Sequence, residues 1–262
     1  SFPSEILSAY QAKNSRGTIL IVNAFDRTSG PATIETPTLQ GFDLARDPGI
    51  PYISTTSYCG PQYAFDRTQI GKGDPQGLGY STGEWEGMQI AGNTFDYPFL
   101  HGKAIQAAGG YSFVSCSDEA IEQSRIRMED YPVVDIIFGA EKSVVSQAMQ
   151  NRITDYARQG GNLLVSGSYL GNILPTSLAQ GTLKFTHGGS MYGVTTGEAF
   201  GANTSLTFPT KVNEKTYAVP SPDCLLPAGG SYSTFVYTPG NYGAGIAYQG
   251  TDYRTFVLGF PF

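Results

Sequence analysis

Tyr131–Ser166 reads YPVVDIIFGAEKSVVSQAMQNRITDYARQGGNLLVS. VVDIIF, Val133 to Phe138, is a short apolar run entered from Pro132, as expected of a strand buried on both faces of a parallel sheet. Beyond it Val145, Ala148, Met149, Ile153, Tyr156 and Ala157 recur at helical spacing and form one apolar stripe. Gly160-Gly161 ends that helix, because glycine tolerates the left-handed cap conformation. Asn162 to Ser166 (NLLVS) is the next strand. Strand, helix and strand at this spacing make a βαβ unit with a right-handed crossover.

The pattern extends outward. Thr18 to Phe25 (TILIVNAF) and Tyr111 to Cys116 (YSFVSC) are two further apolar runs, the second preceded by a short helical stretch around Lys103 to Ala108. The reading is one α/β domain over 1–262: a mostly parallel sheet with flanking helices, the four runs lying parallel. Two regions break the rhythm. About 28–100 is rich in Gly, Pro and aromatics and too long for a structureless loop, so an insertion with its own short strands is expected. From Leu183 onward LKFTH, SLTF, TYAV and STFVY make a β-rich C-terminal third. Gly245–Tyr248 and Tyr253–Phe260 read as a hairpin joining the sheet. AFDRT occurs at Ala24–Thr28 and again at Ala64–Thr68 with unlike flanks, so no solenoid repeat is implied.

Charged residues make up only 15% of the 262, against about 25% in an average soluble protein. Polarity comes from Ser, Thr, Asn, Gln, Gly and Tyr, which points to an extracellular type of surface. The net charge of −6 and the lack of any Lys/Arg cluster exclude a nucleic-acid footprint. No apolar run approaches the ~20 residues that span a bilayer. The chain starts at Ser1 without Met or signal peptide, as expected of a piece of something longer. Cys59, Cys116 and Cys224 show no metal spacing. They leave two arrangements open: a Cys59–Cys224 bridge with Cys116 free, or three buried thiols.

YPVVDIIFG, RQGGNLLVSGSYLG and GAGIAYQGTDYRTFVLGFPF resemble class I glutamine amidotransferase-like domains, which have a flavodoxin/Rossmann-like sheet. VNAFDRTSGPA, AGNTFDYPFLHGKAI, YSFVSCSDEA and GGNLLVSGSYLG are similar to the C-terminal region of large secreted bacterial proteins labelled N-acetylmuramoyl-L-alanine amidase or xanthan lyase-like. The resemblance implies an accessory or glycan-associated domain of a secreted, periplasmic or cell-surface protein that processes envelope or polysaccharide. Its partners would be a glycan or peptidoglycan fragment and neighbouring domains of a longer chain. It also implies where a glutaminase cysteine would sit. That place reads SGSYLG, with Ser168 as the candidate nucleophile and no cysteine. The His-x-Glu partner pair is missing as well, since His101 and His187 are the chain's histidines. Glutaminase activity is not expected.

Ligands of parallel α/β sheets bind at the carboxyl ends of the strands. Those ends deliver Asp26 and Arg27, Cys116, Glu141, and Ser168 with Tyr169. Cys116 ends its strand where a helix follows, with Ser115 and Asp118 spaced as a capping box. A helix N-terminus favours thiolate. His101 as base and Asp96 as its orienter would complete a Cys–His–Asp set for a hydrolase; the plainer reading is a small core thiol. His187, in THGGS, reads as an exposed turn residue. Arg27 and Asp26 suit a loop salt bridge or recognition of a substrate carboxylate. Arg27 with Tyr169 is the set a polysaccharide lyase would need. The aromatics Tyr52, Tyr58, Tyr63, Phe65, Tyr80, Trp85, Phe95, Tyr97 and Phe99 suit a glycan platform or the insertion's own small core. Neither a cofactor nor a metal is expected.

Overall fold

The computed structural model describes residues 9–25, 32–35, 37–38, 40–43, 97–139, 141, 144–194, 196–199, 204–208, 219 and 221–261. The four apolar runs form β1 (Thr18–Asn23), β4 (Ser112–Ser117), β5 (Val133–Gly139) and β6 (Asn162–Gly167). They lie parallel in the order β4-β1-β5-β6, with Thr18 opposite Ser112, Ile19 opposite Val133 and Val133 opposite Asn162. Between β1 and β4, Ala32–Glu35 (β2) and Gln40–Asp43 (β3) form a separate antiparallel hairpin. Apart from residues 37–38, the rest of the 28–96 stretch lies outside the described residues, and of the aromatics singled out from the sequence Tyr97 and Phe99 fall in a described element, the helix Tyr97–Ala108.

The expected fold class is corrected by the other half of the sheet. The C-terminal hairpin, β12 (Tyr242–Gln249) with β13 (Arg254–Leu258), places β13 parallel to β6. Beyond it β12, β11 (Tyr232–Tyr237), β8 (Thr196–Ala199) and β9 (Ser205–Thr207) all pair antiparallel. The result is one nine-stranded mixed sheet, β4-β1-β5-β6-β13-β12-β11-β8-β9, in which strand outweighs helix. It is not a mostly parallel, Rossmann-like sheet clothed by helices. The physical reason is local: β11, β12 and β13 follow one another through short connections, which suit antiparallel neighbours, while parallel neighbours need long crossovers.

α3 (Gln147–Arg158) follows the predicted stripe. Ser146 caps it by accepting a 3.1 Å bond from the Met149 N–H. Gly160 takes φ +91° at its end, and the Tyr156 ring lies where a Gly161 Cβ would stand. Met149, Ile153 and Tyr156 are buried against Leu20, Val134, Ile136 and Val165, at roughly 1.5–3 kcal/mol of apolar burial each. The opposite face carries α1 (Tyr97–Ala108), whose Ile105 packs on Ile21, Phe113 and Ile137. Gly102 lets α1 come this close, since a Cβ there would stand 2.5 Å from the Phe113 ring. The final GFPF contributes Phe260, fully buried with Phe208 and Tyr237.

Two short helices, α4 (Leu170–Ile173) and α5 (Thr176–Gly181), follow β6. They lead to β7 (Phe185–Ser190), which pairs antiparallel with β10 (Asp223–Pro227) as a two-stranded sheet. β10 crosses β12 so closely that a Cβ on Gly243 would stand 2.0 Å from the Leu225 carbonyl oxygen. Among the described residues no helix is long and apolar enough to cross a membrane. Cys116 and Cys224 are buried free thiols, so the Cys59–Cys224 bridge is not formed. Cys59 and most of TYAV lie outside the described residues.

Candidate functional site

Strand alternation sorts the predicted residues onto two faces. Leu20, Val22, Cys116, Val134 and Ile136 belong to the cluster under α3, whereas Ile21, Phe113 and Ile137 belong to the cluster under α1. His101, in the second turn of α1, sets its Nδ1 2.7 Å from Asp135 Oδ2, with both side chains at most 2% exposed. Cys116 and His101 are therefore on opposite sides of the sheet, and the structure does not bring them together. β4 also continues through Ser117, which precedes α2 (Asp118–Glu122) without a side-chain cap bond. The Ser115–Asp118 capping box is not formed, and Cys116 is a core residue inside its strand. Asp26, Arg27 and Asp96 lie outside the described residues. Asn23 ends β1 on the α1 face, 5% exposed, with Oδ1 unpartnered. Glu141 is buried just beyond β5.

The elbow after β6 is more informative. The Ser168 N–H donates to the Gly139 carbonyl at 2.8 Å, fastening the elbow to the end of β5. Ser168 itself is fully buried with Oγ unpartnered, so no substrate reaches it as the fold stands. Tyr169 takes the left-handed conformation, φ +60°, where non-glycine residues are strained. The apex of the elbow is thus Tyr169, centred in Gly167-x-Tyr169-x-Gly171, one residue beyond the serine singled out from sequence.

Sequence reasoning missed the group that braces this elbow. Gly171 N–H donates to Asp223 Oδ2 at 2.8 Å, and His187 Nε2 lies 3.4 Å from Asp223 Oδ1, at ion-pair distance but without hydrogen-bond alignment. Asp223 is fully buried. Burial pushes its carboxyl above the ordinary range, opposed by the Gly171 N–H and by His187. The His187 ring lies on Gly171, where an added Cβ would stand 2.0 Å from Cγ. His187 is a half-buried residue of β7, not the exposed turn residue its THGGS context implied. A carboxylate beside an imidazole is a base arrangement in form, but the Ser168 hydroxyl makes no bond to it. Chemically the set works as a fastener between β6, β7 and β10. Among the described residues, no three of His, Cys, Asp or Glu gather as a metal site.

No protein-family model matches the sequence, and no curated protein matches it. Solved structures do. An mmIFT52 N-terminal domain matches at TM-score 0.42 and 14% identity, over 63% of this chain and 78% of that one. A β-galactosidase from the Antarctic haloarchaeon Halorubrum lacusprofundi matches at TM-score 0.40 and 16% identity, over 57% of this chain and 21% of the enzyme. The exo-β-1,4-mannosidase Op5Man5 from Opitutaceae bacterium strain TAV5 matches at TM-score 0.44 and 10% identity, over 63% and 26%. This chain thus spans about a quarter or less of either glycosidase. None of the three is an amidotransferase, amidase or lyase. The mixed sheet corrects the resemblance to class I glutamine amidotransferase-like domains and, with it, to amidase or xanthan lyase-like proteins.

Proposed function

We propose that this chain is a non-catalytic accessory domain, associated with glycan, of a secreted, periplasmic or cell-surface protein that processes envelope or polysaccharide and carries further domains. One observation carries the reading: the central sheet stands between Cys116 and His101, each buried on its own face. A nucleophile and its base must come within hydrogen-bond reach, and a sheet cannot be crossed by side-chain rotation. The buried Ser168 Oγ supports the same conclusion for the serine alternative. The sparse charge and the wealth of Asn, Gln, Thr and Tyr suit contact with hydroxyl-rich ligands.

The test is turnover and retention in parallel. The purified chain is incubated with peptidoglycan fragments and with acidic polysaccharides, and products are followed by reducing ends and by absorbance of unsaturated uronate. It is also sedimented with insoluble cell-wall glycan. Retention without turnover is expected, unchanged in Cys116→Ala and His101→Ala. Turnover that disappears in those variants would establish a cysteine hydrolase instead. Unsaturated products would establish a lyase.

A further inference from the structure

We propose that the groove between α3 and α5 binds a short neutral oligosaccharide, an inference that rests on the glycan-associated reading above and gives it a location. The groove encloses about 530 Å³, within the ~300–1,000 Å³ of small-ligand sites. One wall is the polar side of α3, where Gln147, Asn151 and Thr154 follow one another at helical spacing. Ser177 and the segment from Gly181 to Thr182 form the other wall, and Lys184 and Tyr253 close one end.

The chemistry of these walls is amide and hydroxyl where a solvent-facing helix ordinarily carries Lys and Glu. Planar amides and hydroxyls both donate and accept, which is what successive sugar hydroxyls require. The Gln147 amide donates 2.9 Å to the Asn151 carbonyl, aligning the two side chains along the wall. The nearby charges answer one another: Arg158 lies 3.9 Å from Asp155. The remaining cation, Lys184, lies over two tyrosine rings and acts on the Asp252 carboxylate, so each cation at the groove has an anion near it and the neutral class is favoured.

Lys184 is a second, independent observation. It holds φ +65°, a backbone region that ordinary side chains avoid and that collects at functional sites. Its carbonyl is clamped there by the Ala228 N–H at 3.1 Å and the Ser231 hydroxyl at 2.6 Å. The outcome is an ammonium 5.2 Å from the Tyr248 ring centre and 5.8 Å from that of Tyr253, at the end of the groove. There it presents N–H donors to a sugar hydroxyl beside an aromatic surface.

Calorimetric titration tests this with cellohexaose and mannohexaose as neutral probes and trigalacturonate as the acidic arm. Gln147→Ala combined with Asn151→Ala alters two exposed positions. Lys184→Gly removes the ammonium at a site where glycine fits the backbone. Saturable binding of a neutral probe is expected, weakened about tenfold in either variant, as loss of two or more hydrogen bonds implies. The melting temperature of Lys184→Gly should hold or rise, which separates lost binding from lost fold. Neutral binding that both variants retain would overturn the groove while leaving the glycan reading intact. Preference for trigalacturonate would overturn the neutral assignment. Absence of binding to every probe, together with no retention on insoluble glycan, would overturn both proposals.

Discussion

His101 on α1 and Asp135 on β5 meet at 2.7 Å across the seam between helix and sheet, with almost no solvent on either side chain. Asp135 is the one charged residue inside the apolar run Val133–Phe138. A lone carboxyl inside a buried strand is costly unless it finds a partner. His101 is that partner, and the bond fixes where α1 sits along the strands. A histidine suited by type to act as a base is thereby committed to structure.

Removing either side chain breaks a buried pair. His101→Ala and Asp135→Ala should each cost about 2–4 kcal/mol, the sum of a lost buried bond and a cavity. The double variant should cost clearly less than the two added together, because the shared bond is lost only once. Urea midpoints of the four proteins measure this. Strict additivity would mean that the pair contributes nothing as a pair.

Asp223 gives a dependence on pH. Its carboxyl is raised chiefly by burial, so the folded chain binds that proton more tightly than the unfolded chain. The stabilisation is fully present below the unfolded value and is lost as pH rises through the folded value. Asp223→Asn keeps an acceptor for the Gly171 N–H and removes the titration. Compared with wild type, its urea midpoint should decline less, or rise more, as pH increases from the ordinary carboxylate range toward neutrality. Parallel profiles for the two proteins would show that Asp223 does not drive the dependence.

The parts of the fold that were legible share a physical cause. Central strands covered on both faces, such as TILIVNAF and VVDIIF, lose their alternation and become continuous apolar runs, and α3 must show a stripe because it buries one. The antiparallel half was harder to read. LKFTH reads as a strand, but the GGS that completes β7 has the composition of a turn, and its partner β10 begins 33 residues after it ends. At the site the signal was partly present: Asp135 inside an apolar strand called for a buried partner, and Gly167-x-Tyr169-x-Gly171 marked Tyr169 as the apex. Nothing local joined His187 to Asp223, because β7 and β10 carry them together only after the sheet has formed.

Gly171 is the contact on which that join depends. An alanine methyl would stand 2.0 Å from His187 Cγ and push the ring from its seat beside Asp223. Gly171→Ala should cost about 1–3 kcal/mol, as overpacking of a closed site does, and lower the melting temperature by several degrees. Adding His187→Ala makes room for the methyl and should recover much of the loss. A Gly171→Ala protein as stable as wild type would mean that the elbow and β7 are not in the contact described.

The thiols supply the last prediction, and it bears directly on the proposal that neither Cys116 nor Cys224 is a nucleophile. Cys116 is 7% exposed and Cys224 is 3% exposed. Reaction with a disulfide reagent needs thiolate and access. Cys116 lacks access, since it packs among Leu20, Val22 and Val134 under α3. Cys224 lacks both, because burial pushes its thiol up and Gly188 sits against its sulfur with no room for a Cβ. A Cys59→Ser variant isolates these two. In the native protein neither should react with an aromatic disulfide over minutes, and both should react at once in guanidinium chloride. If Cys116 reacts in the folded chain, its surroundings open readily, and it regains its standing as a nucleophile. Slow labelling that follows the unfolding rate as denaturant is raised would instead mark both thiols as core groups, exposed only when the sheet comes apart.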